Sequence, residues 1–232
     1  MGDTTDNKTT AKIKEIFTSI QGEGVYVGFK QLFIRFCTCN LHCKYCDTLF
    51  RADDNTKCLT PKELYRRIED KLGVHSISLT GGEPLCEWRF LKEFLPLIRE
   101  KGTKVYLETN ATLYNELKEI IDFIDIISAD IKIPSSCGID DLLEKHDKFF
   151  SICERKCLFA KIVFNTKLPD TEIEKSASLA KKYGIELILQ PEMDGNKLTV
   201  NGEFISKTLD KYLKIYDKVR VIPQTHKFIN IE

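Results

Sequence analysis

Short apolar stretches recur along the chain, and longer polar segments with helical periodicity separate them. Each apolar stretch is rich in Ile, Val, Leu or Phe and is short for a helix, so we predict a strand there. The predicted strands cover residues 13–17, 32–36, 77–80, 104–108, 125–128, 159–164, 186–189 and 219–222.

The segments between the strands predict helices. Thr60, Pro61 and Glu63 mark the start of one helix, because they supply an N-cap, a proline at the first helical position and a capping glutamate. Gly184 marks the end of another helix. The predicted helices cover residues 61–71, 88–100, 113–121, 140–153, 171–183 and 203–216.

Strand and helix alternate about six times, which is typical of repeated βαβ units in an α/β protein with a parallel sheet. A complete eight-fold barrel takes about 250 residues, and this chain has 232. We therefore predict a partial, modified (βα)6 TIM-like barrel. No linker-like stretch divides the sequence, so residues 1–232 should form a single domain in which residues 1–11 are flexible.

Chemically distinctive residues follow five of the predicted strands. In parallel α/β folds, the loops at the carboxyl ends of the strands form the ligand site. We therefore expect five loops to meet at one site: residues 39–48, 81–83, 108–110, 128–132 and 190–192.

Two further features precede the first of these loops. Residues 21–24 read Gln-Gly-Glu-Gly, which predicts either a loop whose backbone approaches a ligand closely or an ordinary turn. Arg35 lies within an apolar strand and needs an anionic partner. That partner is either a neighbouring acidic side chain or a substrate carboxylate, which arginine can bind with two hydrogen bonds.

Composition excludes several classes of function. The formal net charge is zero, which indicates no bulk attraction to nucleic acid or to a membrane surface. No apolar run approaches the roughly 18 residues of a membrane span, and the polar start does not resemble a signal peptide. We expect a cytoplasmic protein that binds neither nucleic acid nor membrane and whose nine cysteines are reduced.

Cys39, Cys43 and Cys46 lie within eight residues in a CxxxCxxC pattern, which indicates a metal centre. A structural zinc site would need a fourth ligand, for which Cys37 and His42 are candidates. A ferredoxin-type cluster would need a fourth thiolate. The third possibility is a 4Fe-4S cluster held by three cysteines, which leaves one iron open for chemistry.

This cysteine pattern after the first barrel strand resembles that of the radical S-adenosylmethionine (SAM) enzymes. Residues 80–84 (TGGEP) resemble the GGEP motif of that superfamily, and Tyr45 stands where its members keep an aromatic residue against the adenine. The resemblance implies a barrel of the radical SAM type, in which SAM binds the open iron. Reductive cleavage of SAM then gives a 5′-deoxyadenosyl radical that abstracts a hydrogen atom from the substrate.

Further motifs resemble one family of these enzymes, the 7-carboxy-7-deazaguanine synthases. They occur in order at residues 19–24, 33–36, 46–48, 108–110, 190–195 and 224–227. The resemblance implies a lyase that converts 6-carboxy-5,6,7,8-tetrahydropterin to 7-carboxy-7-deazaguanine with loss of ammonia, for the synthesis of 7-deazapurines such as queuosine and archaeosine. It also implies a homodimer, Mg²⁺ as a further cofactor, and an electron donor such as flavodoxin or ferredoxin.

The same resemblance implies a role for individual residues. The 4Fe-4S cluster would be held by Cys39, Cys43 and Cys46, and Mg²⁺ by Thr48. The substrate would be bound by Ile20, Gln21, Gly22, Glu23, Arg35, Thr80, His226 and Glu232. SAM would be bound by Tyr45, Cys46, Asp47, Gly82, Glu108, Ser128, Lys132 and Gln190. No side chain is expected to act as a catalytic acid or base in its own right.

The sequence departs from the family at three positions. Ala111 stands where the family commonly has glycine, Glu192 is inserted after Pro191, and the chain ends in Glu232 where some members have proline. Two alternative functions remain open at this point. One is a radical SAM activase that installs a glycyl radical on a partner protein, and the other is a zinc-stabilised binding module without catalysis.

Overall fold

A mixed nine-stranded sheet forms the centre of the fold. The computed structural model describes residues 8–46, 56–153 and 156–231. The first three strands are β1 (Ala11–Ile20), β2 (Lys30–Phe36) and β3 (Lys57–Leu59). The later ones are β4 (Ser76–Gly81), β5 (Lys104–Thr109), β6 (Ile126–Asp130), β7 (Cys157–Phe164), β8 (Glu186–Pro191), β9 (Met193–Asp194), β10 (Lys197–Leu198) and β11 (Val219–Val221).

The strand order is β3-β1-β2-β4-β5-β6-β7-β8-β11, while β9 and β10 form a separate small hairpin. From β2 onward, all neighbouring strands of the large sheet are parallel. In the described part of the chain, the edge strands β3 and β11 do not pair with each other, so the barrel is open. The predicted partial barrel of the α/β class is confirmed.

The amino-terminal edge of the sheet differs from the prediction of a purely parallel sheet. Strand β1 is antiparallel to β2 and also to β3, which was not predicted. Only residues 21–29 join β1 to β2, and a parallel crossover needs a dozen or more residues. Ala11, which we expected at the end of a flexible leader, is buried and is the first residue of β1.

The helices cover most of the predicted segments. They are α1 (Pro61–Ile68), α2 (Trp88–Arg99), α3 (Tyr114–Lys118), α4 (Pro134–Cys137), α5 (Leu143–Ser151), α6 (Asp170–Tyr183), α7 (Gly202–Leu213) and α8 (Thr225–Ile229). The capping box between Thr60 and Glu63 is present, and α6 ends at Gly184, whose φ is +65°. Helices α1, α3, α5 and α7 are shorter than predicted, and α4 and α8 were not predicted. None of the described helices is both long and apolar enough to span a bilayer.

Strand β7 shows how the two faces of the sheet are used. Ala160, Ile162 and Phe164 are buried in the main core, which packs the sheet against the helices. Phe159 points to the other face, where it joins a smaller apolar cluster inside the barrel. Side chains on this inner face therefore separate into an apolar base and, further along the strands, a polar cavity.

Candidate active site

A cavity of about 240 Å³ lies inside the barrel and reaches the carboxyl ends of its strands. It brings together most of the residues that the sequence singled out. The predicted site residues that line it are Ile20, Gln21, Gly22, Glu23, Arg35, Cys39, Cys43, Tyr45, Cys46, Thr80, Gly82, Glu108, Lys132, Gln190 and His226. Their individual roles remain predictions.

The other four predicted site residues fall into two groups. Asp47, Thr48 and Glu232 lie outside the residues that the structure describes. Ser128 is buried within β6 and does not line the cavity.

The cysteine loop (residues 37–46) places Cys39, Cys43 and Cys46 on the cavity wall. Within the described ranges, no three His, Cys, Asp or Glu side chains converge as ligands of a single metal ion. An iron–sulfur cluster does not require such convergence, because each thiolate binds a different iron. Cys37 is buried beside Thr56 and, like His42, does not line the cavity, which argues against the zinc arrangement.

The GGEP loop (residues 81–84) packs directly on the cysteine loop. The Gly82 amide donates to the Phe36 carbonyl, and the Glu83 amide donates to the Thr38 carbonyl at 2.7 Å. A Cβ atom on Gly82 would lie 2.0 Å from the Thr38 carbonyl oxygen. Glycine is therefore required here by close backbone approach.

Glu83 connects the GGEP loop to the end of β5. Its buried carboxylate accepts hydrogen bonds from the amides of Leu85 and Asn110 and from the Thr109 hydroxyl. Burial raises the pKa of Glu83 to about 7, although these hydrogen bonds oppose the shift. The Glu83 side chain thus joins two of the loops at the carboxyl ends of the strands, and its backbone amide joins them to the cysteine loop.

Lys132 connects the cysteine loop to β6. Its Nζ donates to the Tyr45 hydroxyl at 2.9 Å and to Asp130 Oδ2 at 2.9 Å, and it lies over the Tyr45 ring. The aromatic residue expected against the adenine is therefore held from one side by a buried cation.

The N-terminal loop (residues 21–29) reaches the cavity from the opposite end of the barrel. Because β1 is antiparallel to β2, this loop starts beside the amino ends of the parallel strands. A Cβ atom on Gly24, whose φ is +64°, would meet the Phe159 ring at 2.4 Å, and the Tyr26 ring packs against Tyr106 and Phe159. The loop thus closes the amino end of the barrel and forms the floor of the cavity.

Gln21 and Glu108 fix the first residues of this loop. Gln21 Nε2 donates to both Glu108 Oε1 and Gln31 Oε1 at 2.9 Å. Glu108 also accepts hydrogen bonds from the hydroxyls of Ser78 and Thr80. Glu108 was assigned to SAM from the sequence, but two of these hydrogen-bond partners, Gln21 and Thr80, are residues assigned to the substrate.

Glu23 is held by Lys161, which the sequence reasoning did not single out, and by Gln224 of the motif at residues 224–227. Its carboxylate accepts from Lys161 Nζ at 2.5 Å and from Gln224 Nε2 at 2.7 Å. Burial favours a raised pKa, but Lys161 and Gln224 outweigh it and lower the pKa of Glu23 to about 2. Lys161 was detectable in the sequence as a single charge in an apolar strand, which is the signal that identified Arg35.

Arg35 has the neighbouring acidic partner that we considered for it. Its Nη1 donates to Glu15 Oε2 at 2.8 Å across the β1–β2 pair, and the guanidinium lies over the Phe17 ring. The side chain also lines the cavity. A guanidinium has five N–H donors, so this ion pair does not prevent it from binding a substrate carboxylate.

Ala111 and His146 are in contact, which the sequence reasoning did not predict. Ala111 has a φ of +54°, so the chain adopts a left-handed conformation at the position where the family commonly has glycine. His146 Nδ1 donates to the Ala111 carbonyl, and its Nε2 accepts from the Lys132 amide at 3.1 Å. Burial lowers the pKa of His146 to about 4.

The residues present fit the implied cofactors. Three thiols line one wall of the cavity, and a glycine backbone faces it nearby. Gln190 Oε1 is buried at the cavity without a hydrogen-bond partner among the described residues. A buried amide oxygen of this kind calls for a donor from a bound molecule.

Comparison with known proteins identifies relatives over nearly the whole chain. Residues 33–188 match the Radical SAM superfamily. The 7-carboxy-7-deazaguanine synthase of Geobacter sulfurreducens is 36% identical, and the alignment covers 96% of this chain and 98% of that one. The enzyme of the same name from Archaeoglobus fulgidus is 34% identical, with 95% and 99% coverage.

Solved structures show the same fold. The crystal structure of QueE from Escherichia coli matches with a TM-score of 0.62 and 19% identity, covering 94% of this chain and 95% of that one. Archaeal TYW1 matches with a TM-score of 0.52 and 14% identity, covering 80% of this chain and 72% of that one.

Proposed function

The chain belongs to the radical SAM superfamily and, within it, to the 7-carboxy-7-deazaguanine synthase family, and from this membership we propose that it converts 6-carboxy-5,6,7,8-tetrahydropterin to 7-carboxy-7-deazaguanine with loss of ammonia. It is a radical SAM lyase of 7-deazapurine synthesis, in the pathway to queuosine or archaeosine. Its cofactors are a 4Fe-4S cluster and SAM, with Mg²⁺ as a third. We regard residues 1–232 as a single radical SAM domain.

The observation that carries this proposal is the composition of the cavity. One space is lined by the cysteine loop, by the N-terminal loop and by the C-terminal segment (residues 222–231). The first of these carries the motif of the superfamily, and the other two carry the motifs that distinguish this family within it. A glycyl-radical activase would share only the first.

Cofactors would be held by the carboxyl-end loops. Cys39, Cys43 and Cys46 would bind the cluster, and Thr48 would contribute to Mg²⁺ binding. SAM would be bound by Tyr45, Cys46, Asp47, Gly82, Glu108, Lys132 and Gln190. Ser128 belongs to the same predicted set, but it is buried and does not line the cavity. When bound, the cluster and SAM supply a 5′-deoxyadenosyl radical that takes a hydrogen atom from the substrate.

The substrate would lie between the N-terminal loop and the C-terminal segment. Glu23 remains ionised and keeps acceptor capacity for the N–H groups of a pterin ring. Arg35 would bind the substrate carboxylate with the donors that Glu15 does not use. His226, packed on Gly22, would cover the substrate, together with Glu232.

These residues orient the substrate and exclude water rather than transfer protons. Gln21 and Thr80, both bound to Glu108, are held in fixed positions along the cavity wall. Fixed geometry is what a radical reaction requires of the protein, because the bond-making steps belong to the radical and the substrate.

Location and partners are proposed from the cysteines and from the exposed apolar side chains. All nine cysteines are free thiols, which supports a reducing cytoplasm. The exposed apolar side chains of Ile20, Phe29, Phe228 and Ile229 support a homodimer. Reduction of the cluster requires an electron donor such as flavodoxin or ferredoxin.

The test is an anaerobic assay of the reconstituted protein. It should be brown, contain about four irons per chain, and form 7-carboxy-7-deazaguanine from the carboxylated tetrahydropterin, as detected by mass spectrometry. Formation of 5′-deoxyadenosine without any deazapurine would refute the substrate. A colourless protein that retains zinc would refute the enzyme and support the binding module.

A further inference from the structure

Lys161 is a charged cavity residue with no role in the assignments above. Its side chain is only 5% exposed and lies on the inner face of β7, between Phe159 and Val163. A lysine is rarely buried without a partner, because its charge loses hydration. Nζ lies 2.5 Å from Glu23 Oε2 and 3.5 Å from Asp130 Oδ1. Burial opposes the charge, but both carboxylates outweigh it and hold the pKa of Lys161 well above its usual value.

Glu23 links this lysine to the C-terminal segment. One carboxylate oxygen accepts from Lys161, and the other accepts from Gln224 Nε2 at 2.7 Å. The partners lie 138 and 201 residues away from Glu23 along the chain, so only the folded barrel brings them together.

The position of the C-terminal segment depends on its contacts with the N-terminal loop. Apart from the five-residue helix α8, it has little regular structure of its own. The Thr225 amide donates to the Gly22 carbonyl at 2.8 Å, and a Cβ atom on Gly22 would lie 2.3 Å from His226 Nδ1. The segment that carries His226 is therefore held against the N-terminal loop next to Glu23.

We propose that Lys161 is a positioning residue for substrate binding: its ammonium group fixes the Glu23 carboxylate, and Glu23 in turn holds the C-terminal segment against the cavity. The inference rests on the proposed function, in which Glu23 and His226 contact the substrate. An apolar side chain at position 161 would leave Glu23 and Asp130 without the cation between them, and the two carboxylates would repel. Glu23 would then turn away, and Gln224 would lose its acceptor.

The test compares Lys161→Met with Lys161→Arg, which keeps the charge. Lys182→Met is the matched control, because Lys182 also pairs with a carboxylate at 2.6 Å, that of Asp147, but is 58% exposed and does not line the cavity. Hydrogen exchange of the cluster-free protein needs neither SAM nor substrate. We expect the amides of residues 222–231 to exchange about tenfold faster in K161M, with no change in K182M and partial protection in K161R.

Steady-state kinetics of the reconstituted enzyme provide the second measurement. We expect the KM for the carboxylated tetrahydropterin to rise about tenfold in K161M, while kcat and the KM for SAM change by less than about twofold. A purely structural role would instead lower the active fraction and leave both KM values unchanged. K161R should recover most of the substrate affinity.

Wild-type exchange in residues 222–231 together with a wild-type substrate KM in K161M would overturn the inference. So would exchange that increases equally throughout the sheet. Should K161M fail to fold, K161M/E23Q removes the unpaired carboxylate and should show the same local exchange. If the wild-type protein forms no deazapurine, the proposed function fails, whereas the exchange measurement still decides the role of Lys161.

Discussion

His146 offers a quantitative test of how the site is assembled. Its imidazole bridges the Ala111 carbonyl and the Lys132 amide, and a nitrogen that accepts a hydrogen bond from an amide carries no proton. Burial lowers the pKa of His146 from 6.5 to about 4. Between these values the unfolded chain binds a proton at this position and the folded chain does not. Stability therefore falls as the pH falls.

The size of this effect follows from the two pKa values. At pH 7 the imidazole is largely neutral in both states, so its titration contributes little. On going to pH 5, protonation in the unfolded chain alone costs the wild type about 2 kcal/mol. His146→Gln removes this titration. The variant should be less stable than the wild type at neutral pH, and the gap should shrink by about 2 kcal/mol at pH 5.

Urea unfolding of the cluster-free, reduced protein at several pH values in this range measures the gap. His42→Gln is the control for replacing a histidine at an exposed position. A gap between wild type and H146Q that stays constant from neutral to acidic pH would refute the reasoning. It would mean that the folded protein does not exclude the proton from His146.

Three further predictions concern the cysteine loop, the GGEP loop and helix α1. Cys43→Ala should abolish cluster binding and product formation. Cys58→Ala, at an exposed position outside the cavity, should keep about four irons per chain. Loss of iron in C58A would contradict the ligand assignment. Gly82→Ala would place a methyl group 2.0 Å from the Thr38 carbonyl oxygen. It should therefore lower stability by about 1–3 kcal/mol and reduce iron content, and wild-type values of both would disprove the close packing. Thr60→Ala removes the N-cap of α1 and should lower Tm by about 2–4 °C without changing the substrate KM; an unchanged Tm would show that the capping box contributes nothing.

Periodicity predicted the parallel strands because each is apolar and buried. It could not predict the direction of β1, since alternation looks the same in either direction. The length of residues 21–29 contained that information, because so short a connection favours a hairpin. Helices were predicted less accurately where a short helix is followed by a separate turn, as after α3, where residues 121–123 form a 3-10 turn.

The sequence predicted those parts of the site whose position follows from the order of strands and loops in a parallel barrel. Loops after parallel strands meet at one end of a barrel, so the cysteine and GGEP loops could be placed together in advance. The partner of Arg35 could not be chosen, because Glu15 comes opposite it only through the β1–β2 register. Lys161 carries the same sequence signal as Arg35, a single charge in an apolar strand, but its partner could not be chosen either, since Glu23 lies 138 residues away.

The closed amino end of the cavity limits how substrate and cofactor can enter and leave. The N-terminal loop fills the amino end of the barrel with Tyr26 and Gly24 against the Phe159 ring. Substrate and cofactor therefore do not enter through this end; among the described residues, the cavity reaches the carboxyl ends of the strands. Where both molecules use the carboxyl end, the one that binds deeper has to enter first and leave last. Product that remains in the cavity would block the next turnover. Product-inhibition kinetics should therefore show the order of binding and release.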